Sequence, residues 1–395
     1  MVNTLELYYE SAYLKEFDAT VISCSKGGDG SFFVCLDKTA FFPEQGGQSC
    51  DKGVIIDDSG AEHAVRYVSI KDGVITHVLD SSLPEGTLVH GVIDFDHRFS
   101  NMQQHTGEHI FSGIVNSRFG YDNVGFHLSD NEVTMDYNGQ LTFDQIKEVE
   151  GLVNEAIWAN VEVICSFPSG EELSDIDYRS KKELTGAIRI VTIPGYDVCA
   201  CCAPHVLRTG EIGLLKVVKA QNYKGGTRVS ILCGKRALSY VSLEHDIVDE
   251  LVRIFTTSQD NIISSVNRLQ SELQECKGQI VDLQNRLLDY ELNEIDKDLK
   301  NVFLLKGPSV DQNVLRKTVN LLALTHTGFC GVFAGDDKKE YRYIIASGTE
   351  SRDCKTLQKV LTEEFGARGG GNSKMIQGSL TGADIKAVIS RCQEF

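Results

Sequence analysis

The chain has 395 residues, 42% of them hydrophobic and 24% charged, an ordinary globular composition with room for about two to four domains. Collagen-like, low-complexity and wholly disordered readings are excluded, and no apolar run approaches the roughly 20 residues of a membrane-spanning helix. Net charge is −17, which argues against nucleic acid as a partner. However, residues 301–395 hold 13 Lys+Arg against 10 Asp+Glu, a balance of +3 that leaves −20 for the rest.

The opening segment, MVNTLELYYESAYLKEF, carries acidic residues and no apolar core of a signal peptide, so a cytoplasmic protein is expected. From 18 to 95 the segments ATVISC, SFFVCLD, GVIIDD, AVRYVSI, GVITHVL and TLVHGVID are short and rich in Val and Ile. Gly, Asp and Ser turns separate them, which predicts a small β-barrel or sandwich over 1–93. At His97 the period changes. RFSNMQQHTGEHIFSGIVNSRFG and FDQIKEVEGLVNEAIWAN read as amphipathic helices, and VEVICSF, AIRIVTI, GLLKVVKA and TRVSILCG read as strands, giving an α+β domain over 94–235.

Residues 236–300 are helical. After KRALSYVSLEHDIVDELVRIFTT, apolar residues recur at Ile262, Val266, Leu269, Leu273, Cys276, Ile280, Leu283, Leu287 and Tyr290. Their alternating spacing is a heptad seam, which predicts a coiled coil or helical hairpin and a self-associated, homodimeric protein. Residues 301–395 resume as α/β strands and helices around a glycine-triplet loop, ARGGGNSK.

Three clusters carry chemistry. His105 and His109 are four apart on a predicted helix, so both rings leave one face. Ninety-two residues beyond His109, Cys201 and His205 form C-x-x-x-H, and the two pairs together offer the four ligands of a tetrahedral Zn²⁺. Cys199 and Cys202 stand close enough in sequence to compete for the metal. Glu108 lies just before the second histidine. A zincin places its base just after the first, so Glu108 is read as a solvated side chain or an orienter of an imidazole. In TAFFPEQGGQ, Gly46-Gly47 permits a turn with positive φ, and Thr39, Glu44 and Gln48 are candidates to line a pocket. The other nine cysteines are scattered singly and read as reduced, small buried side chains.

In this order, TAFFPEQGGQSCDKG, QQHTGEH and CCAPH resemble the editing domain of alanyl-tRNA synthetases and the free-standing alanyl-tRNA editing proteins of the AlaX family. The helical stretch and glycine-triplet tail resemble the rest of the synthetase, ending in a DHH-associated domain. The likeness is thus to the long AlaX form. It implies a trans-acting deacylase without the aminoacylation domain, hydrolysing tRNA(Ala) mischarged with serine or glycine. It further implies a bound zinc, Thr39 reading the serine hydroxyl and Gln48 beside the ester. The departures are Cys202-Ala203 for the family's glycine pair and Phe42 for its tyrosine.

A site that must hydrogen-bond a hydroxyl rejects the analogue lacking it by roughly 10⁴–10⁵, so correctly charged Ala-tRNA would be spared. The expected tRNA grip is Arg368, Gly369, Gly370, Gly371 and Lys374, with backbone N–H groups between two cations. Two other readings stand beside this one: threonyl-type editing, and a zinc-stabilised RNA-binding or dimeric scaffold without turnover. A DHH phosphoesterase is disfavoured because the chain has no Asp-His-His motif.

Overall fold

The structure is a computed structural model and describes residues 3–130, 132–180, 186–336, 340–348 and 352–395. It divides into two compact units, Met1–Asp249 and Glu250–Phe395.

The first unit opens with β1 (Leu5–Glu6), β2 (Glu16–Lys26), β3 (Phe32–Leu36), β4 (Lys38–Thr39), β5 (Gly53–Asp57), β6 (Glu62–Val65), β7 (Tyr67–Lys71), β8 (Val74–Leu79) and β9 (Leu88–Ile93). Seven of these form one antiparallel sheet in the order β6-β5-β9-β2-β3-β8-β7. Its two edge strands, β6 and β7, are consecutive in the chain with Arg66 alone between them. The sheet must therefore curl until its edges meet, and it is nearly closed. The long β2 serves both halves, pairing β9 through Glu16–Thr20 and β3 from Val21 onward, with an irregularity between Val21 and Ser23 where it bends. Alternating residues point inward, and Val34, Ile55, Val68, Ile75 and Leu79 are sealed from solvent.

Beyond the barrel come α1 (Phe95–Phe119), β10 (Asn123–Leu128), β11 (Val133–Tyr137), α2 (Phe143–Trp158), β12 (Ile164–Ser166), α3 (Gly170–Ser174), β13 (Ile190–Ile193), β14 (Asp197–Ala200), β15 (Leu215–Tyr223) and β16 (Gly226–Cys233). They give a four-stranded sheet, β10-β11-β16-β15, and a three-stranded one, β12-β13-β14. Asp94 starts α1 by accepting the His97 N–H, and Gly120 ends it at φ 69°. Between these caps α1 is buried on every side from Asn101 to Val115. Two interior glycines allow that: a Cβ on Gly107 would lie 2.5 Å from Cys233 Sγ, and one on Gly113 would lie 2.2 Å from the Tyr196 carbonyl oxygen. The unit holds two cores, one in the barrel and one formed by α1, α2 and the four-stranded sheet.

Helix α4 (Gly234–Phe255) runs across the unit boundary and stops at Thr256, whose φ is +47°. The second unit then contains α5 (Ile262–Glu294), β17 (Val302–Lys306), α6 (Gln312–Thr325), β18 (Phe329–Gly335), β19 (Glu340–Ser347), α7 (Cys354–Phe365), β20 (Arg368–Gly371), β21 (Met375–Thr381) and α8 (Ile385–Gln393). The sheet order is β17-β18-β19-β21-β20. Strands β17 and β18 are parallel, with α6 as the crossover between them. Helix α6 packs on one face through Leu315 and Val319, while α7 and α8 cover the other through Leu357, Leu361 and Val388.

Two expectations change, those for the glycine triplet and for two cysteines, and the heptad seam faces solvent. The glycine triplet is not a loop but lies in edge strand β20, hydrogen-bonded to β21. Cβ atoms on Gly369 and Gly371 would lie 2.3 and 2.2 Å from β21 carbonyl oxygens, so only glycine lets the strands pair this closely. Along the predicted heptad seam Ile262 is buried, but Leu269, Leu273, Ile280, Leu283, Leu287 and Tyr290 are exposed. Finally, Cys165 and Cys276 are exposed rather than buried.

Candidate metal centre

His105 and His109 leave one face of α1, and the turn following β14 carries Cys201 and His205 to them. One ligand atom from each of the four residues falls within 4.8 Å of the others. His105 Nε2 is 3.5 Å and His205 Nε2 is 3.4 Å from Cys201 Sγ. A tetrahedral zinc with a Zn–S bond of about 2.3 Å and Zn–N of about 2.0–2.1 Å sets its S and N ligands about 3.5 Å apart. The donor set therefore fits a zinc ion in chemistry and in spacing. Cys201 falls in the group with the three histidines, while Cys199 falls in a second group that shares His109 and adds Asp197.

Each imidazole is oriented from behind through Nδ1. His109 Nδ1–H donates to Asp197 Oδ2 at 2.9 Å, and His105 Nδ1–H donates to Gln48 Oε1 at 2.7 Å. His205 Nδ1 is 3.0 Å from Thr106 Oγ1. Donation from Nδ1 leaves the Nε2 lone pairs for the centre, as a metal requires. The His109 partner is the charged one, since Arg179 Nε–H donates to Asp197 Oδ1 at 2.8 Å. Burial disfavours a charged His109, but the Asp197 hydrogen bond together with the nearby Cys199, Glu108 and Asp197 charges outweighs it and pushes the imidazole above its ordinary value.

Glu108 is not solvated. It is fully buried and accepts hydrogen bonds from Ser112 Oγ and Asn123 Nδ2, both at 2.6 Å. On a helix buried on every side, it is enclosed by polar side chains.

The centre opens on a cavity of about 610 Å³ lined in part by Tyr9, Gly46, Gly47, Phe126, Phe167 and Arg189. Gly46 and Gly47 adopt φ of 65° and 86°, as the turn demands. A Cβ on Gly47 would meet the Phe126 carbonyl oxygen at 2.5 Å, so the loop can lie against β10 only with glycine there. Gln48 is buried between loop and metal residues, and its Nε2 has no partner among the described residues. Thr39 is placed elsewhere: sealed in the barrel, it lies 2.9 Å from His77 Nε2 and accepts the Phe41 N–H. Glu44 is exposed beside Tyr67 and is not among the residues lining the cavity. Burial pushes the Cys202 thiol up to about 12, so it remains protonated at neutral pH. Arg368 and Lys374 belong to the second unit and are exposed at and beside β20.

Sequence reasoning missed the support of this site. Asp51 and Arg98 are both fully buried, and Arg98 Nε donates to Asp51 Oδ1 and Oδ2 at 2.9 and 3.0 Å. Asp51 also accepts the Phe42 N–H at 2.6 Å, and Arg98 donates to the Ala12 and Ala40 carbonyls. The pair ties the FFPEQGGQ loop to α1. No spacing signal marks two residues 47 apart, and only their charge in otherwise apolar stretches hints at them.

The chain is similar to known proteins along most of its length. Residues 7–97 match the family described as "tRNA synthetases class II (A)". Residues 188–230 match the "Threonyl and Alanyl tRNA synthetase second additional domain". An alanine–tRNA ligase from Ignicoccus hospitalis is 31% identical over 79% of this chain and 35% of its own length. The ligase from Pyrococcus furiosus is 29% identical over 96% of this chain and 42% of its own. The chain therefore spans well under half of these ligases. In contrast, the alanyl-tRNA editing protein AlaX-L from Pyrococcus horikoshii is 28% identical over 94% of this chain and 93% of its own. The chain is thus a relative of alanyl-tRNA editing protein AlaX-L along nearly the full length of both proteins, and of a portion of the longer alanine–tRNA ligases.

Proposed function

We propose that the protein is a trans-editing aminoacyl-tRNA deacylase that hydrolyses tRNA(Ala) mischarged with serine or glycine. The observation carrying this reading is the convergence of His105, His109, Cys201 and His205, the first three of which line a cavity large enough for an aminoacylated nucleoside. The relation to an editing protein of matching length supports it.

These four residues would hold a zinc ion. When bound, such an ion supplies Lewis acidity toward the ester or holds the substrate amine. The remaining work belongs to the chain. Gln48, Asp197 and Thr106 fix the three imidazoles, and Gln48 Nε2, without a partner among the described residues, lies fully buried beside the cavity-lining Gly46-Gly47 turn. Attack of water on the ester carbonyl breaks its C–O bond and releases the amino acid and the terminal ribose hydroxyl. A covalent route through Cys202 is not part of the proposal, since burial disfavours its thiolate. The family resemblance assigns the serine hydroxyl to Thr39, whose own hydroxyl is sealed in the barrel against His77 in this structure. Thr39→Val tests this, since narrowed discrimination between seryl and alanyl esters is expected and unchanged discrimination removes Thr39 from the role.

The deciding experiment is a deacylation panel of tRNA(Ala) charged with Ser, Gly and Ala, together with Thr-charged tRNA. Hydrolysis of the Ser or Gly esters with Ala spared is expected. Hydrolysis of none, with metal bound, favours the zinc-stabilised scaffold, a reading suggested by four buried or half-buried protein ligands. Among the described residues no helix is long and apolar enough to cross a membrane, and a cytoplasmic location is part of the proposal. So is a homodimer, to which the exposed apolar residues of α5 would contribute.

A further inference from the structure

Arg189 has no part in holding the metal residues' rings, yet it lines the same cavity. It sits immediately before β13 and is only 8% exposed. Of the described residues lining the cavity, it is the only one among Asp, Glu, Lys and Arg. Its Nη1 donates to the carbonyls of Cys201 at 3.0 Å and Ala203 at 2.8 Å, so one arm of the fork is spent on the metal-binding turn. The guanidinium also faces the Tyr9 ring at 5.5 Å from its centroid.

Among the described residues no carboxylate pairs with Arg189. Arg98, the other arginine of this unit that is fully buried among the described residues, does have such a partner in Asp51. A buried cation without a counterion is costly, and the cost is relieved by an anion arriving in the cavity. In a chain of net charge −17, a guanidinium in the cavity wall is a local exception to the prevailing potential.

We infer that Arg189 is the anion-recognition residue of the cavity and binds the phosphate group 5′ to the aminoacylated terminal nucleoside. This rests on the deacylase reading. With the ester at the metal end, the substrate's α-ammonium is kept away from Arg189 by like charge. The nearest anion along the substrate is the phosphate on the far side of the terminal ribose. The planar fork suits it, because Arg binds phosphate with two parallel N–H donors. The same cation that receives the phosphate also braces Cys201, so seating the nucleotide and positioning the metal-binding turn are one event.

The test uses the full-length, zinc-loaded protein and two non-hydrolysable probes: 3′-serylamido-3′-deoxyadenosine with and without a 5′-phosphate, titrated by calorimetry. The wild type should bind the phosphorylated probe about tenfold or more tightly, the range of a charge-assisted pair. The readout is the ratio of affinities for the two probes, whatever each variant does to binding of the unphosphorylated one: Arg189→Gln should abolish the ratio and Arg189→Lys should keep part of it. Zinc content is measured in each sample. If Arg189→Gln loses zinc or does not fold, the wild-type pair of probes and Arg189→Lys still decide. Equal wild-type affinity for both probes overturns the assignment to Arg189 while leaving the deacylase reading intact. Absence of binding by either probe, together with a negative deacylation panel, overturns both.

Discussion

Arg98 and Asp51 form an ion pair with both side chains fully buried, joining the first turn of the metal-bearing helix to the loop that follows the FFPEQGG turn. Each partner also satisfies backbone groups, with Arg98 reaching the Ala12 and Ala40 carbonyls and Asp51 the Phe42 N–H. Removing one partner strands a buried charge, which typically costs about 3–5 kcal/mol. Asp51→Ala and Arg98→Met should each show a loss of that size in urea unfolding. The double variant should lose less than the sum of the two, because no unpaired charge remains. Additive losses would mean that the pair does not act as a unit.

Metal analysis of purified protein should find one zinc per chain, lost in Cys201→Ser and His205→Ala. Its removal should lower the unfolding temperature of Met1–Asp249 more than that of Glu250–Phe395, because its ligands tie α1 to a turn 92 residues away. Asp197→Asn keeps the shape but weakens the hold on His109. Chelator competition should then report zinc binding weaker by about 10- to 100-fold. Unchanged affinity would show that Asp197 does not orient His109.

His77 is wholly buried. Its Nδ1–H donates to the Val34 carbonyl, leaving Nε2 to accept the Thr39 hydroxyl, and burial holds its pKa down at about 4. The unfolded chain takes up that proton near the ordinary histidine value of about 6.5. Stability from neutral His77 is therefore full above about pH 6.5 and is lost progressively as pH falls toward about 4, reaching roughly 3 kcal/mol. Comparing urea midpoints at pH 7 and pH 4.5, His77→Gln should show a shallower acid-side loss than wild type. An identical pH profile would remove His77 as its source.

The exposed edge at β20 is the proposed tRNA grip, between Arg368 and Lys374 in the one stretch of positive balance. Arg368→Ala combined with Lys374→Ala should weaken tRNA binding. The dependence of log affinity on log salt should flatten by roughly 0.7 per lost phosphate contact on single strands, or roughly 0.9 on duplex. An unchanged slope would place the grip elsewhere.

Much of this was legible in the residues. Strand alternation in the first 95 residues, the helix bounded by Asp94 and Gly120, and the H-x-x-x-H and C-x-x-x-H pairs are local patterns, and local spacing determines which side chains share a face. Tertiary structure decided the rest, because it depends on which segments meet. It placed Cys201 in the group with the three histidines and buried Glu108 inside a helix with no solvent face. It put Thr39 in the barrel with its hydroxyl facing His77, and turned a glycine triplet that reads as a loop into an edge strand. It also paired Asp51 with Arg98, and set Arg189 in the cavity wall. Each of these depends on contacts between residues far apart in the chain, and no period in the sequence encodes them.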